Sequence, residues 1–236
     1  IHLFGGCCGT DPSFIRAMRQ MLDQKHPQDF PNPVVSRQAC VCTPTCFVPI
    51  DRVRIIGERI NPTGKKRLKQ AILEQDFDYI LSQGLSQLEA GSQILDVNMG
   101  MPEVDESRML PLVIQKLQGV LDAPLQIDSS NVKAIEQALR LYNGKPIVNS
   151  VNGEEGSMNA ILPLVKKYGA AVVALTLDDN GIPLLAEERF AIAERIVAHA
   201  EQYGIPREDI YVDCLTLTAS VPEMCFRQSC GCHEQE

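Results

Sequence analysis

The sequence contains no tryptophan, only 5% of its residues are aromatic, and it has no long apolar run. Its longer apolar stretches, such as residues 170–177, fall far short of the ~20 residues that a helix needs to cross a bilayer. Residues 1–4 lack the charged and apolar regions of a signal peptide. We therefore expect a cytoplasmic protein with no membrane segment, and the opening Ile1 in place of methionine predicts a piece of a longer chain.

Positive charge is also scarce. The formal net charge is -8, and the only basic run consists of Lys65, Lys66, Arg67 and Lys69. Nucleic-acid binding needs a concentrated basic face that neutralises phosphates, so a nucleic-acid partner is not expected. The short run indicates a solvated helix face, and steering of an acidic ligand is the alternative.

Nine cysteines are too few for a disulfide scaffold of this length, and an odd number cannot all pair. Reduced thiols, some of them binding metal, fit the count better. Two groups of possible ligands lack the second, well-placed pair that a four-ligand zinc site needs: Cys40, Cys42 and Cys46, and the tail residues Cys225, Cys230, Cys232 and His233.

Short apolar runs alternate with segments of helical period from about residue 51 to residue 215. Strands are predicted at 53–57, 93–97, 125–127, 146–148, 171–177 and 210–212, and helices at 65–90 (in two pieces), 103–120, 132–142, 156–168 and 185–203. This alternation predicts an α/β fold, a (β/α)8 TIM barrel cut short at its C-terminal end. A doubly wound sheet is the alternative.

The start of the chain predicts one further βα unit. An apolar run at 1–4 ends in a glycine-rich tip, and Asp11 or Ser13 can cap a helix whose apolar face holds Ile15, Met18 and Met21. Such a unit cannot bury its own apolar faces, so we interpret it as the end of a second barrel. The predicted organisation is a barrel remnant at 1–24, a proline-rich linker at 25–50, an incomplete barrel at 51–220 and an unmatched tail at 221–236.

Polar side chains follow the predicted barrel strands at the point where each strand ends. The carboxyl ends of parallel strands are where α/β proteins bind ligands. Aspartate and asparagine at this density suit a flat heterocycle with several N–H donors and ring acceptors, although any one of them could instead cap a helix or close a turn. The candidates are Glu58, Asn61, Asp96, Asn98, Asp128, Ser129, Asn149, Asp178 and Asp213. No His, Lys or Cys nucleophile accompanies these residues except Cys214, so covalent catalysis finds little support.

Five of these segments resemble the pterin-binding barrel of methyltetrahydrofolate-dependent methyltransferases. They read GERINPTG at 57–64, LDVN at 95–98, IDSS at 127–130, VNS at 148–150 and VD at 212–213. Upstream, GGCCGT at 5–10 is similar to the last zinc-ligand motif of the homocysteine-binding barrel in cobalamin-dependent methionine synthases. The two resemblances occur in the order found in that family.

The resemblance implies both a site and a reaction. Methyltetrahydrofolate would be bound by Glu58, Asn61, Asp96, Asn98, Asp128, Asn149 and Asp213, and zinc by Cys7 and Cys8. The N5 methyl group would pass to cobalamin on a domain or chain not present here, and then to zinc-activated homocysteine held by the missing barrel. No catalytic residue is assigned.

Two departures from the family pattern weaken the expected activity. Residues 221–236 do not match the family's last strands, and Cys214 stands where many relatives have proline. We therefore expect the chain alone to be inactive. The alternatives are a methyltransferase that methylates a separate corrinoid protein, a dihydropteroate synthase on the same fold, and a non-catalytic metal-binding module.

Overall fold

The computed structural model describes residues 4–25 and 37–216, which belong to two compact units, Ile1–Arg37 and Gln38–Glu236. The first unit contains helix α1, Pro12–Asp23. Asp11 caps this helix by accepting a hydrogen bond from the Ser13 backbone N–H at 2.6 Å, and proline fits its first turn because that N–H would be unpaired anyway. Most of the strand predicted at 1–4 lies outside the described residues.

The second unit is built on a parallel sheet of six strands in sequential order from β3 to β8. The strands are β3 Ile56–Ile60, β4 Ile94–Asn98, β5 Leu125–Asp128, β6 Ile147–Asn152, β7 Ala171–Leu175 and β8 Ile210–Asp213. The helices are α2 Lys66–Glu74, α3 Phe77–Glu89, α4 Glu106–Gln118, α5 Val132–Leu141, α6 Glu155–Tyr168 and α7 Ala186–Gln202. All six predicted strands and the helices between them are confirmed, with shifts of a few residues at their ends.

The strand order distinguishes the barrel from the doubly wound alternative. A doubly wound sheet reverses its order at a switch point, whereas this sheet adds each new strand to the same side. The protein therefore has the α/β fold of a TIM barrel represented by six strands. Within the described residues no further strand pairs with the outer edges of β3 and β8.

Alternation along the strands separates two packing faces. Outward residues such as Val97, Ile127 and Val172 are fully buried beneath the helices in the main core. Inward residues near the amino ends, including Ile94 and Ile147, form a separate apolar cluster inside the sheet. Polar residues two or four positions further along the same strands therefore share this inner face.

A β-hairpin closes the inner cluster at the amino ends of the strands. It consists of β1 Cys40–Cys42 and β2 Phe47–Pro49, paired antiparallel. Its opposed residues Val41 and Val48 pack on the inner cluster and are 0% and 7% exposed. Part of the segment predicted as a linker, 25–50, therefore forms this hairpin. Strands of three residues are too short to show a period in the sequence, and the prolines at 27, 31, 33 and 44 indicate a linker.

Among the described residues, no helix is both long enough and apolar enough to span a membrane.

The hairpin predicts a local effect on stability. Replacing Val41 with alanine should lower the free energy of unfolding by about 1 to 3 kcal/mol, because it removes buried methyl groups and leaves a cavity. Val53→Ala is the matched control, since Val53 is 92% exposed, and should change stability by less than about 0.5 kcal/mol. Urea unfolding measures both. Equal stabilities would mean that the hairpin is not part of the core.

Candidate functional site

Asp128 lies at the centre of a polar row at the carboxyl ends of the strands. The register of the sheet places it beside Asn98 on β4 and Asn149 on β6. The Asn98 side-chain amide donates a hydrogen bond to Asp128 Oδ2 at 2.9 Å, and Asn61 Nδ2 approaches the same oxygen at 3.4 Å. Within the described part of the chain, no protein donor is found for Asp128 Oδ1. That oxygen can accept a bond from a ligand.

Asp96 lies one layer deeper, in register with Gln126 on β5. It is only 2% exposed, and its Oδ1 accepts a hydrogen bond from Gln126 Nε2 at 2.7 Å. Asp96 Oδ2 and Gln126 Oε1 are both buried without a hydrogen-bond partner among the described residues. Burial raises the pKa of Asp96 to about 7, and the nearby Asp128 carboxylate adds to this effect. The side chain is therefore substantially protonated at neutral pH.

Burial also raises the pKa of Asp128, while the bond from Asn98 opposes that shift. The charge of Glu58 acts on both aspartates and raises the pKa of each. The site thus brings three acidic groups together, and burial opposes ionisation of the buried Asp96 and of the partly buried Asp128. A ligand that offers N–H donors would relieve this by hydrogen bonding to the charged carboxylates.

An open cleft of about 500 Å³ adjoins Asp128 and Asn149 and extends to the start of α6. Its volume is within the range of small-molecule sites. Its polar lining includes the residues after β5 and within β6, namely Ser129, Ser130, Ser150 and Asn152. The cleft therefore has room for a small molecule beside Asp128 and Asn149.

We use the name carboxyl-end cluster for the six residues that the structure brings together: Glu58, Asn61, Asp96, Asn98, Asp128 and Asn149. Asp213, the seventh predicted ligand, lies at the same edge of the sheet but on β8, three strands away from Asp128. It is exposed, and its Oδ1 accepts a hydrogen bond from the Leu215 backbone N–H at 2.7 Å. Its role in ligand binding stays a prediction.

The remaining strand-end candidate has a structural partner. Asp178 forms an ion pair with Arg195 of α7 at 2.7 Å, which fixes the loop between β7 and α7. Gln126, in contrast, was missed by the sequence analysis. In the sequence it stands between two apolar residues of a predicted strand, a position that gives no sign of a polar contact. In the structure its side chain points to the inside of the sheet and donates a hydrogen bond to Asp96.

Cys7 and Cys8 lie in the first unit as exposed free thiols. Residues 4–25 and 37–216 contain no group of three or more His, Cys, Asp or Glu side chains arranged to hold a metal ion. These two thiols do not form a complete zinc site with the described residues, and their role as zinc ligands stays a prediction. Cys40, Cys42 and Cys46 are free thiols of the hairpin, and the cysteines and histidine after residue 220 lie outside the described residues.

Comparison with known proteins gives one family match and a set of named relatives. Residues 57–226 match the pterin binding enzyme family. Methionine synthase of Mycobacterium leprae (strain TN) is 29% identical over 232 residues, covering 92% of this chain and 19% of that protein. Methionine synthase of Mycobacterium tuberculosis (strain ATCC 25618 / H37Rv) is 29% identical over 228 residues with the same coverage. The chain thus spans about a fifth of the length of these relatives.

Solved structures similar to this chain include dihydropteroate synthases. The enzyme of Xanthomonas albilineans with 4-aminobenzoic acid has a TM-score of 0.57 at 22% identity, covering 74% of this chain and 64% of that one. The enzyme of Vibrio fischeri ES114 has a TM-score of 0.54 at 18% identity, covering 74% and 65%. Likeness at this identity establishes the barrel fold and no more.

The raised pKa of Asp96 predicts how stability depends on pH. Between its ordinary pKa of 3.8 and about 7, the folded protein holds a proton that the unfolded chain releases. Stability should therefore fall by a few kcal/mol, on the order of 1.4 kcal/mol for each pH unit, as pH rises through this window, and then level off. Asp128 contributes in the same direction.

Substitution isolates the contribution of Asp96. Asp96→Asn should flatten most of the decline in urea-unfolding free energy between about pH 4 and 7.5, a range that covers nearly all of the interval between the two pKa values. Asp105→Asn is the control, because a hydrogen bond from Ser107 lowers the pKa of Asp105 and its stabilising effect is lost only toward acid pH. A decline that persists unchanged in Asp96→Asn contradicts the assignment.

Proposed function

Because the chain belongs to the pterin binding enzyme family, we propose that its carboxyl-end cluster binds methyltetrahydrofolate as part of a methyltransferase of the methionine synthase type. The proposal places the pterin ring against Asp128 and Asn149 at the open end of the barrel. The observation that carries it is that the amide groups of Asn61 and Asn98 are directed at the Asp128 carboxylate, with Asn149 in the adjacent register position on β6.

The chemistry of these groups suits the pyrimidine side of a pterin. That edge offers adjacent N–H donors and ring acceptors. A carboxylate accepts hydrogen bonds only, whereas an amide side chain both donates and accepts. Asp128 therefore suits the N–H groups and Asn149 the mixed edge. The bonds from Asn98 and Asn61 hold Asp128 in position before the ligand arrives, which lowers the cost of ordering the site.

Two observations favour methyl transfer over the other pterin reactions. The alignment with the methionine synthases covers 92% of the chain, so it extends well before residue 57, where the family match begins. The second observation is the GGCCGT motif at 5–10, which resembles a motif of that class. It disfavours the alternative of a methyltransferase that methylates a separate corrinoid protein. The likeness to dihydropteroate synthases is one of fold alone.

Transfer of a methyl group from N5 is limited by its leaving group. A tertiary amine departs poorly unless N5 gains a proton or a strong hydrogen bond as the carbon–nitrogen bond breaks. Cobalamin, on a domain or chain not present here, would supply the cobalt centre that accepts the methyl group. The residues of this chain would hold the pterin in line for transfer and exclude water around N5.

The described residues account for only part of the second half of the reaction. Cys7 and Cys8 would contribute two thiolates to a zinc ion that activates homocysteine, with the other ligands supplied from outside this chain. We assign no step through zinc, because the described residues do not complete such a site. The catalytic residue stays unassigned, and the chain alone is expected to be inactive.

Asp128→Asn should weaken binding of methyltetrahydrofolate by about 1 to 3 kcal/mol, because a partly buried, charged hydrogen-bond acceptor becomes a neutral amide. Isothermal titration of the 236-residue chain measures this change. Asp78→Asn is the matched control, since Asp78 is exposed on the first turn of α3 and should bind like the wild type. Equal affinities in all three proteins would remove Asp128 from the site.

A second titration separates the two classes of pterin enzyme. The wild-type chain should bind methyltetrahydrofolate and show no saturable binding of 4-aminobenzoate, the compound named with one of the dihydropteroate synthase structures. Tight binding of 4-aminobenzoate together with a dihydropterin, and none of methyltetrahydrofolate, would overturn the proposed substrate.

A further inference from the structure

Strand β3 carries an irregularity where it approaches the site. Gly57 pairs with Leu95 and Ile60 pairs with Val97, so three residue steps on β3 oppose two on β4. This is the count of a β-bulge, which leaves backbone groups outside the ladder and turns the following side chains. Glu58 and Arg59 lie within the bulge, and Asn61 follows it directly.

Gln87 of α3 provides a partner for one backbone group of the bulge. Its side-chain Oε1 accepts a hydrogen bond from the Arg59 N–H at 2.6 Å, and its Nε2 donates to the Gln83 carbonyl at 3.0 Å. Gln87 is only 7% exposed, which is unusual for a helix glutamine. A Cβ at position 57 would lie 2.6 Å from Gln87 Oε1, so the close approach needs Gly57.

Lys65 binds the other side of the same segment. Its ammonium group donates to the carbonyl oxygens of Glu58 at 2.9 Å and of Asn61 at 3.0 Å. A positive charge just before the first turn of α2 interacts unfavourably with the helix dipole. Helix stability therefore does not explain a lysine at position 65. The bonds join a carbonyl within β3 to the carbonyl of the residue that directly follows the strand.

The direction of the Asn61 side chain depends on this segment. Asn61 Oδ1 accepts a hydrogen bond from the Thr63 N–H at 3.0 Å, which leaves its Nδ2 directed to Asp128. A shift of the backbone at Asn61 would move this amide and the Glu58 carboxylate together.

We propose that Lys65 and Gln87 are positioning residues of the pterin site, which hold the β3 bulge so that Glu58 and Asn61 face Asp128. They act through the backbone of residues 58–61 and make no contact with the ligand. The inference rests on the proposed function and adds to it two residues outside the carboxyl-end cluster.

The test compares variants of the 236-residue chain by titration with methyltetrahydrofolate and by thermal unfolding. Lys65→Met should weaken binding about tenfold, because two charge-assisted hydrogen bonds to the segment are lost. Lys65→Arg keeps the cation and should recover affinity to within about threefold of the wild type. Lys66→Met is the matched control: Lys66 is the adjacent residue, is exposed, and should bind like the wild type. Gln87→Met should weaken binding in the same way as Lys65→Met.

A second background separates positioning from general stability. In a Glu58→Ala, Asn61→Ala protein, Lys65→Met should cause no further loss of affinity, because the groups through which Lys65 acts are gone. A purely structural lysine would lower the melting temperature and the affinity in both backgrounds.

The outcomes separate the two proposals. If the wild type binds methyltetrahydrofolate and Lys65→Met binds it with equal affinity, the positioning role is overturned and the proposed function is left intact. The same follows if Lys65→Arg binds as weakly as Lys65→Met. If the wild type binds no methyltetrahydrofolate, the proposed function fails and the inference fails with it.

Discussion

The register between parallel strands is the constraint on which the rest of this structure depends. Asn98, Asp128 and Asn149 belong to three different strands, yet ladder pairing sets them side by side. Because strand side chains alternate strictly, the same register sends Val97, Ile127 and Val148 outward into the helix-covered core. A slip of one residue in β5 would bury Asp128 beneath the helices and expose Ile127 to the site. Folding stability and site geometry are therefore fixed by one set of hydrogen bonds.

The inner face of the sheet is apolar at the amino ends of the strands and polar at their carboxyl ends. At the amino ends, Ile94, Ile147 and Ala171 meet Val41 and Val48 of the hairpin in a closed apolar layer. At the carboxyl ends the same inner face carries carboxylates and amides. Barrels of this class separate stability from ligand binding in this way, and here the hairpin provides the apolar closure at one end. Changes at the polar end can alter binding without disturbing that layer.

The electrostatics of the site are those of an incomplete hydrogen-bond network. The buried Asp96 and the partly buried Asp128 lie near each other with Glu58 close by, and the amide groups around them compensate only part of the cost of burying charge. The nearby Lys65 gives its hydrogen bonds to backbone carbonyls and not to these carboxylates. Under the proposed function, a pterin with several N–H donors would supply the hydrogen bonds that the protein side chains leave out. The site would then act by holding and polarising the ring, a role that requires no nucleophile.

The sequence by itself determined the six parallel strands, their helices and the presence of acidic and amide residues after the strands, because hydrophobic periodicity and strand ends are local properties. It also supplied the resemblance in residues 57–64 and 127–130 from which the ligand was inferred. Only the tertiary structure decided that Gln126 bonds Asp96, that the supposed linker forms a hairpin under the sheet, and that Asp213 stands three strands from Asp128. Each of these depends on which residues meet across strands, and a strand of three residues or a single inward glutamine leaves no periodic signal in the chain.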